Sequence, residues 1–171
     1  MTPQVTEHLL VDGYNLIKTT PLLSQYERTN LQAARIALQK ALAALAARRA
    51  VSISLFYDGE GDGGQRNWGS LRIRYSSSLE TADDLIMQEV QSRHGSKRLR
   101  VISSDRAIRN FARRHRIRTT SSSDFVDELF PELEDSDGDE VAYLQSEDRD
   151  APALEPSEID EWERLFRERS E

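Results

Sequence analysis

Short apolar runs recur along the first three quarters of the chain, and longer segments rich in helix-forming residues lie between them. Such runs, with many β-branched and aromatic residues, predict strands. The predicted strands are His8–Val11, Val51–Tyr57, Leu71–Tyr75, Leu99–Ile102 and Ile117–Thr119. The third alternates apolar residues with arginine, which indicates a half-exposed strand.

Helical patterns fill most of the intervals between these strands. The predicted helices run from Thr29 to Arg49, from Thr81 as N-cap to Gly95, from Ser104 as N-cap to about His115, and from Ser123 as N-cap through Phe130. The stretch GEGDGGQRNWGS, residues 59–70, predicts a glycine-rich loop. Strands that alternate with helices predict an α/β fold of three layers, in which helices cover both faces of a central, mostly parallel sheet.

The composition changes near residue 130 and divides the chain into three predicted parts. Residues 1–130 form the predicted folded domain. Residues 131–154 are acidic with few large apolar residues, which predicts a flexible linker. Residues 155–171 predict an amphipathic C-terminal helix, whose apolar stripe is Ile159, Trp162, Leu165 and Phe166.

Charge follows the same division. Residues 1–126 contain 19 Lys and Arg and 12 Asp and Glu, a net charge of +7, whereas residues 127–171 contain 4 and 18, a net charge of −14. A basic body attracts polyanions, and an acidic tail either competes with them or only solubilises the protein. Both interpretations of the tail stay open.

Several classes of protein are excluded or disfavoured by composition. The 171 residues include no cysteine, which excludes disulfides, thiolate metal sites and cysteine nucleophiles. The chain has neither an apolar run of membrane-spanning length nor the pattern of a signal peptide. We therefore expect a cytoplasmic protein.

Five aspartates follow predicted strands or open predicted helices: Asp12, Asp58, Asp83, Asp84 and Asp105. In a parallel sheet the loops after the strands share one edge, so these carboxylates are expected in one crevice. Taken singly, each is explained as a turn residue or a helix cap. Together they repel one another unless a cation or a proton neutralises them. All-oxygen sites suit Mg²⁺ or Mn²⁺, which support phosphodiester hydrolysis.

Asn15 lies three residues after Asp12 and has two possible roles. Its amide can hold the turn through backbone hydrogen bonds, or it can orient Asp12 or contact a phosphate oxygen. We expect a mixture of the two. The three histidines, His8, His94 and His115, do not follow a metal-ligand spacing.

Four motifs in this order, VDGYNLI, FYDG, TADDLI and VISSD, resemble the NYN domain family, and most closely its YacP-like branch. The resemblance covers roughly residues 8–130, with a further likeness in the C-terminal helix. It implies a PIN-like nuclease fold and a Mg²⁺- or Mn²⁺-dependent endoribonuclease that leaves a 5′-phosphate. It assigns the acidic site to Asp12, Asp83 and Asp105, with Asn15 and Asp84 in support. Asp58 matches the YacP-like branch as a further metal ligand.

Basic residues are concentrated between Arg93 and Arg118, where ten of twenty-six residues are Lys or Arg. Such density favours phosphate binding over an ordinary solvated surface. The predicted RNA contacts are Arg93, Arg98, Arg106, Arg109, Arg113 and Arg114. Trp68 either stacks on an unpaired base or anchors its loop to the core.

The predicted function is hydrolysis of RNA, with mRNA on the ribosome as one expected substrate. The alternative is a non-catalytic adaptor that binds RNA or the ribosome. A phosphatase of the haloacid-dehalogenase type is disfavoured, because Asp12-Gly13-Tyr14 lacks the second aspartate that its Asp-x-Asp motif needs.

Overall fold

The computed structural model describes residues 6–27, 30–59 and 63–131. The strands are β1 (His8–Asp12), β2 (Ser52–Tyr57), β3 (Gly64–Trp68), β4 (Leu71–Tyr75), β5 (Leu99–Ile102) and β6 (Arg118–Thr120). The helices are α1 (Gly13–Thr19), α2 (Pro21–Glu27), α3 (Leu31–Arg49), α4 (Ala82–Ser92), α5 (Arg106–Arg114) and α6 (Ser122–Leu129). No helix in the described ranges is both long and apolar enough to cross a membrane.

One six-stranded sheet organises these elements, in the order β3-β4-β2-β1-β5-β6. All neighbouring strands are parallel except β3, which runs antiparallel to β4. The chain moves outward from β1 through β2 to β4, and then crosses back to β5 on the other side of β1. The direction therefore reverses between β1 and β5, which is where open α/β sheets form their ligand crevice.

Apolar side chains on the two faces of the sheet form two cores. One contains Leu9, Val11 and Ile53 together with α1, α3 and α6, and the other contains Leu10 and Phe56 together with α4 and α5. Because successive residues of a strand point to opposite faces, an unbroken apolar β1 supplies both cores. The predicted three-layer α/β fold is confirmed.

The glycine-rich segment departs from the prediction, since Gly64–Trp68 forms strand β3 rather than a loop. Its residues Gln65, Arg66 and Asn67 are polar and exposed, so the segment lacks the alternating apolar pattern that predicts a strand. Backbone pairing with β4, from Gly64 opposite Tyr75 to Trp68 opposite Leu71, supplies the stability instead.

Two helices were not predicted, and some boundaries differ. Helices α1 and α2 are seven residues each, too short to display a periodic pattern. Asp105 rather than Ser104 is the N-cap of α5, and Ser121 rather than Ser123 is the N-cap of α6. The predicted linker, apart from Pro131, and the predicted C-terminal helix lie outside the described residues.

Candidate active site

Asp12 ends β1 and is also the N-cap of α1, so the strand turns into a helix without a connecting loop. Gly13 makes this abrupt turn possible. A Cβ at Gly13 would lie 2.4 Å from the ring of Tyr57 and 2.9 Å from the carbonyl oxygen of Phe56. The glycine therefore lets α1 start directly against the end of β2, which holds Asp12 at the carboxyl edge of the sheet.

The carboxylate of Asp12 is buried and lightly hydrogen-bonded. Oδ1 accepts from the backbone N–H of Asn15 at 3.4 Å, and Oδ2 accepts from the hydroxyl of Ser103 at 3.2 Å. Burial, followed by the charge of Asp83, raises the pKa of Asp12 from 3.8 to about 6, and the charge of Asp105 adds to the rise. Asp12 therefore lies in a field of uncompensated negative charge.

Asn15 joins three segments through one oxygen. Its Oδ1 accepts from the backbone N–H of Ser104 at 2.8 Å and from the hydroxyl of Ser122 at 2.6 Å. The hydroxyl of Ser104 in turn accepts from the backbone N–H of Ser122 at 3.1 Å. This network ties α1 to the β5–α5 turn and to the start of α6, which supports the structural part of the role expected for Asn15.

Asp105 begins α5 directly beside Asp12. Its Oδ1 accepts from the backbone N–H of Ile108 at 3.1 Å, and its own N–H donates to the hydroxyl of Ser103 at 3.1 Å. Ser103 is fully buried. Its hydroxyl bridges the two aspartates, because it donates to Asp12 and accepts from the N–H of Asp105. Its signal in the sequence was only a serine beside an expected cap.

Asp83 is in the first turn of α4, and its pKa is raised. Burial is the largest cause, followed by the charges of Asp105, Asp58 and Asp84. Three separate elements, β1, α4 and α5, thus bring Asp12, Asp83 and Asp105 close enough for mutual electrostatic influence. The sequence predicted this convergence.

Asp58 and Asp84 are engaged in holding α4. Oδ1 of Asp58 accepts from the backbone N–H of Ala82 at 2.8 Å, which fastens the end of β2 to the start of the helix. Asp84 forms a capping box with Thr81, in which its Oδ2 accepts from the Thr81 N–H at 2.9 Å. Both carboxylates therefore help to position Asp83.

The cluster fits a hard divalent cation by its chemistry, because all of its side-chain donors are oxygen atoms. Burial, and after it the charges of neighbouring acids, raises the pKa of both Asp12 and Asp83, and a bound cation would oppose both effects. Within residues 6–27, 30–59 and 63–131, however, no three acidic or histidine side chains already converge as the ligands of one ion. Hydrogen-bond donors of the protein occupy part of the carboxylates of Asp12, Asp58, Asp84 and Asp105 instead.

The predicted RNA contacts fall into two groups. Arg106 and Arg109 lie in the first turns of α5, next to Asp105, and Arg113 and Arg114 are exposed in its last turn. The last turn is about 12 Å further along the helix axis. Arg93 and Arg98, by contrast, lie at the opposite edge of the sheet, between α4 and the start of β5, and so away from the aspartates.

Trp68 also lies at that opposite edge, because β3 is antiparallel to β4 and Trp68 pairs with Leu71. Its ring is partly buried and packs against the apolar core. Of the two roles considered for Trp68, this placement favours the anchor.

A cavity of about 580 Å³ adjoins Asp58, and sequence reasoning did not find it. Tyr14, Arg35, Arg66 and Tyr75 line it. The guanidinium of Arg35 lies 5.3 Å from the ring centroid of Tyr14 and donates to the Tyr14 hydroxyl. In the sequence Arg35 is one of several arginines in an alanine-rich helix, and only the fold brings it near the aspartates.

Comparison with known proteins places the chain in a family. The model of the YacP-like NYN domain matches residues 9–167. The crystal structure of Rae1 (YacP) from Bacillus subtilis is similar at a TM-score of 0.61, with 20% identity over 96% of this chain and 92% of that chain. A variant of the same protein, with leucine in place of a tryptophan, matches at a TM-score of 0.62, with 21% identity over 72% of this chain and 74% of that chain. The comparison with curated proteins gave no significant match.

The fold is that of the PIN-like class. The chain belongs to the YacP-like NYN domain family, as the resemblance of its four motifs implied. Nucleases of this class generally depend on divalent metal ions, and the family implies an RNA substrate.

Proposed function

We propose that this protein is a metal-dependent endoribonuclease whose active site is built on Asp12, Asp83 and Asp105. The observation that carries the proposal is the coupling of these three carboxylates at the switch point of the sheet, where burial and mutual charge raise the pKa of Asp12 and Asp83. Structural caps alone do not require three acids from three elements to share one crevice.

Asp12, Asp83 and Asp105, with Asp58, would hold Mg²⁺ or Mn²⁺. A divalent ion in such a site neutralises charge on the phosphodiester and activates water as the nucleophile. Asn15 and Ser103 act as positioning residues, because their hydrogen bonds fix the strand and helix ends that carry the acids. Asp84 positions Asp83 through its capping box.

The RNA strand is proposed to cross the acidic crevice between two basic surfaces. Arg106 and Arg109 at the start of α5 would bind phosphates on one side, and Arg113 and Arg114 would extend this surface. The side chain of Arg109 is half-buried on α5, whereas Arg106 is exposed. On the other side, Arg35 and Arg66 line the cavity next to Asp58.

The biological setting is part of the proposal. We propose residues 1–130 as the nuclease domain, 131–154 as an acidic linker and 155–171 as a C-terminal amphipathic helix. The proposed substrate is cytoplasmic mRNA, including mRNA presented by the ribosome.

A non-catalytic adaptor for RNA or the ribosome is the second candidate. It is favoured by one observation, namely that Asp58, Asp84 and Asp105 each accept a backbone hydrogen bond at the start of a helix. In an adaptor the acids would serve only as caps.

Incubation of the purified protein with mixed single-stranded RNA separates the two candidates. A nuclease produces fragments with 5′-phosphate ends when Mg²⁺ or Mn²⁺ is present, and cleavage stops when a chelator is added. RNA binding without cleavage under either metal would support the adaptor.

A further inference from the structure

A second cavity lies at the edge of the sheet opposite the aspartates. Its volume is about 620 Å³, within the range of about 300–1,000 Å³ that is usual for small-ligand sites. His8 at the start of β1 lines this cavity, here called the basal pocket, whereas Asp12 ends the same strand about 13 Å away. The other lining residues include Ser52, Asn67, Ser70, Arg72, Arg93 and Arg98.

His8 contributes hydrogen bonds but no charge to the basal pocket at neutral pH. Its ring nitrogens contact the hydroxyl of Ser52 and, at 3.0 Å, the hydroxyl of Ser54. Burial, with the nearby charges of Arg93 and Arg72, lowers the pKa of His8 to about 4 although Glu89 opposes the shift. Both arginines are therefore close to the ring.

The arginines of the basal pocket exceed the acids available to them. The lining contains three arginines and one glutamate, Glu7. Glu7 already forms ion pairs with two other arginines, at 3.1 and 2.7 Å. Arg93 shares Glu89 with a further arginine and contacts it at only 3.6 Å. Across residues 6–27, 30–59 and 63–131, neither Arg72 nor Arg98 has an ion-pair partner.

Isolated solvated arginines would account for this charge on a flat surface. The basal pocket is instead a half-open hollow, and the neutral side chains of Asn67 and Ser70 line it together with the exposed guanidiniums. Arginine forks and neutral hydroxyl or amide donors are the groups that recognise a phosphate.

We propose that the basal pocket is a second anion site, which binds the phosphate group of a nucleotide or of an RNA strand through Arg72 and Arg98. It is separate from the acidic crevice and does not depend on catalysis there. A strand bound at both edges of the sheet would be held by contacts that take no part in cleavage.

The test is a titration of the full chain, followed by ¹⁵N–¹H NMR, in chelator-containing buffer so that no divalent ion recruits phosphate to the aspartates. The probes are adenosine monophosphate and a short single-stranded RNA. The reporters are the amides of Gly69, Ser70 and Ser96 in the basal pocket. The test variant is Arg72→Gln with Arg98→Gln, and the charge-matched control is Lys18→Gln with Lys40→Gln, on two exposed helix positions.

The proposal expects the reporter amides to shift in the wild type and in the control. In the test variant the affinity should fall by about tenfold or more, because two charge-assisted hydrogen-bond donors are lost. If adenosine monophosphate shifts the reporter amides, the pocket binds free nucleotides as well as RNA. If only the RNA shifts them, the pocket binds the phosphate backbone of the strand.

Three results would overturn the proposal. In the first, the reporter amides respond to neither probe. In the second, the test and control variants lose affinity equally. In the third, the reporter amides respond only to an added peptide of residues 132–150. The last would mean that the arginines bind an acidic peptide. Cleavage assays with Mg²⁺ on the same variants address the nuclease proposal separately.

Discussion

Ser103 and Asp12 are joined across the ends of β5 and β1, where the Ser103 hydroxyl donates to Oδ2 of Asp12 at 3.2 Å. The hydroxyl oxygen of Ser103 also accepts from the backbone N–H of Asp105, so one buried hydroxyl sets the relation between two proposed metal ligands. Its hydrogen bond also lowers the pKa of Asp12 against the larger effect of burial.

Ser103→Ala should therefore raise the pKa of Asp12 further and move the acidic limb of the pH–rate profile of RNA cleavage to higher pH. Ser104→Ala is the matched control, because the Ser104 hydroxyl accepts from Ser122 and has no contact with Asp12. The measurement is the cleavage rate between pH 5 and pH 8. An acidic limb at the same pH in the wild type and Ser103→Ala would contradict this role.

Asn15 is expected to act mainly as a hydrogen-bond acceptor. Asn15→Ala leaves the donors of Ser104 and Ser122 without their partner, so the free energy of unfolding should fall by about 1–3 kcal/mol. Asn15→Asp keeps an acceptor oxygen at this position. Its free energy of unfolding should therefore fall less than that of Asn15→Ala when the divalent metal is present. Urea unfolding of both variants measures this difference. Equal stability of Asn15→Ala and the wild type would show that the network is dispensable.

Arg113 and Arg114 are expected to bind RNA phosphates at the far end of α5. Replacement of both by Ala should weaken binding of single-stranded RNA and reduce the slope of log affinity against log salt by about 0.7 for each lost phosphate contact. Fluorescence anisotropy over a salt series gives the slope, and Lys18→Gln with Lys40→Gln serves as the charge control. An unchanged slope would mean that these arginines stabilise only the helix terminus.

His8 should make the free energy of unfolding depend on pH. The pKa of His8 is lowered from its ordinary 6.5 to about 4 in the fold, so the unfolded chain binds the proton more readily. The stabilisation by neutral His8 is complete above pH 6.5 and is lost as the pH falls towards 4. Asp12, whose folded pKa is raised, changes in the opposite direction over much of this window.

The difference between the wild type and His8→Asn isolates the histidine, because Asp12 is common to both. Between pH 6.5 and pH 4 the wild type should lose more stability than the variant, as measured by denaturant unfolding at each pH. Parallel curves would contradict a buried neutral His8.

Periodicity predicted the elements whose side chains fill the cores. The strands β1, β2, β4 and β5 and the helix α3 appear close to their predicted positions, because long apolar or helix-forming runs specify them. Strand β3 and helices α1 and α2 depend on backbone pairing and on neighbouring packing, which a local pattern does not display. The packing of Gly13 against Tyr57, which fixes the β1–α1 turn, is a contact between residues distant in the chain.

The acids of the site were predictable because the carboxyl ends of parallel strands share one edge. The contacts that these acids and their neighbours make were not predictable. Asp58 as a cap of α4, Arg35 beside Tyr14 and the double acceptor role of Asn15 arise only when separate elements meet. For the same reason the sequence did not reveal that Arg93 and Arg98 lie apart from Arg106 and Arg109 at the start of α5. These arginines are near one another in the chain, but the fold places them at opposite edges of the sheet.

Asp83→Asn gives the most direct test of the proposed active site. The substitution removes one carboxylate from the cluster and relieves its repulsion with Asp105, so the metal-free variant should be at least as stable as the wild type. Asp127→Asn makes the same chemical change at an exposed position of α6 and serves as the control.

The decisive measurement is the rate of single-stranded RNA cleavage by the wild type, Asp83→Asn and Asp127→Asn at saturating Mg²⁺ or Mn²⁺. A metal ligand should matter more than a supporting residue, so Asp83→Asn is predicted to lose more than about 100-fold of the rate while it remains folded. Asp127→Asn should cleave like the wild type. A folded Asp83→Asn variant that cleaves RNA at the wild-type rate would contradict the assignment of the acidic crevice as the active site.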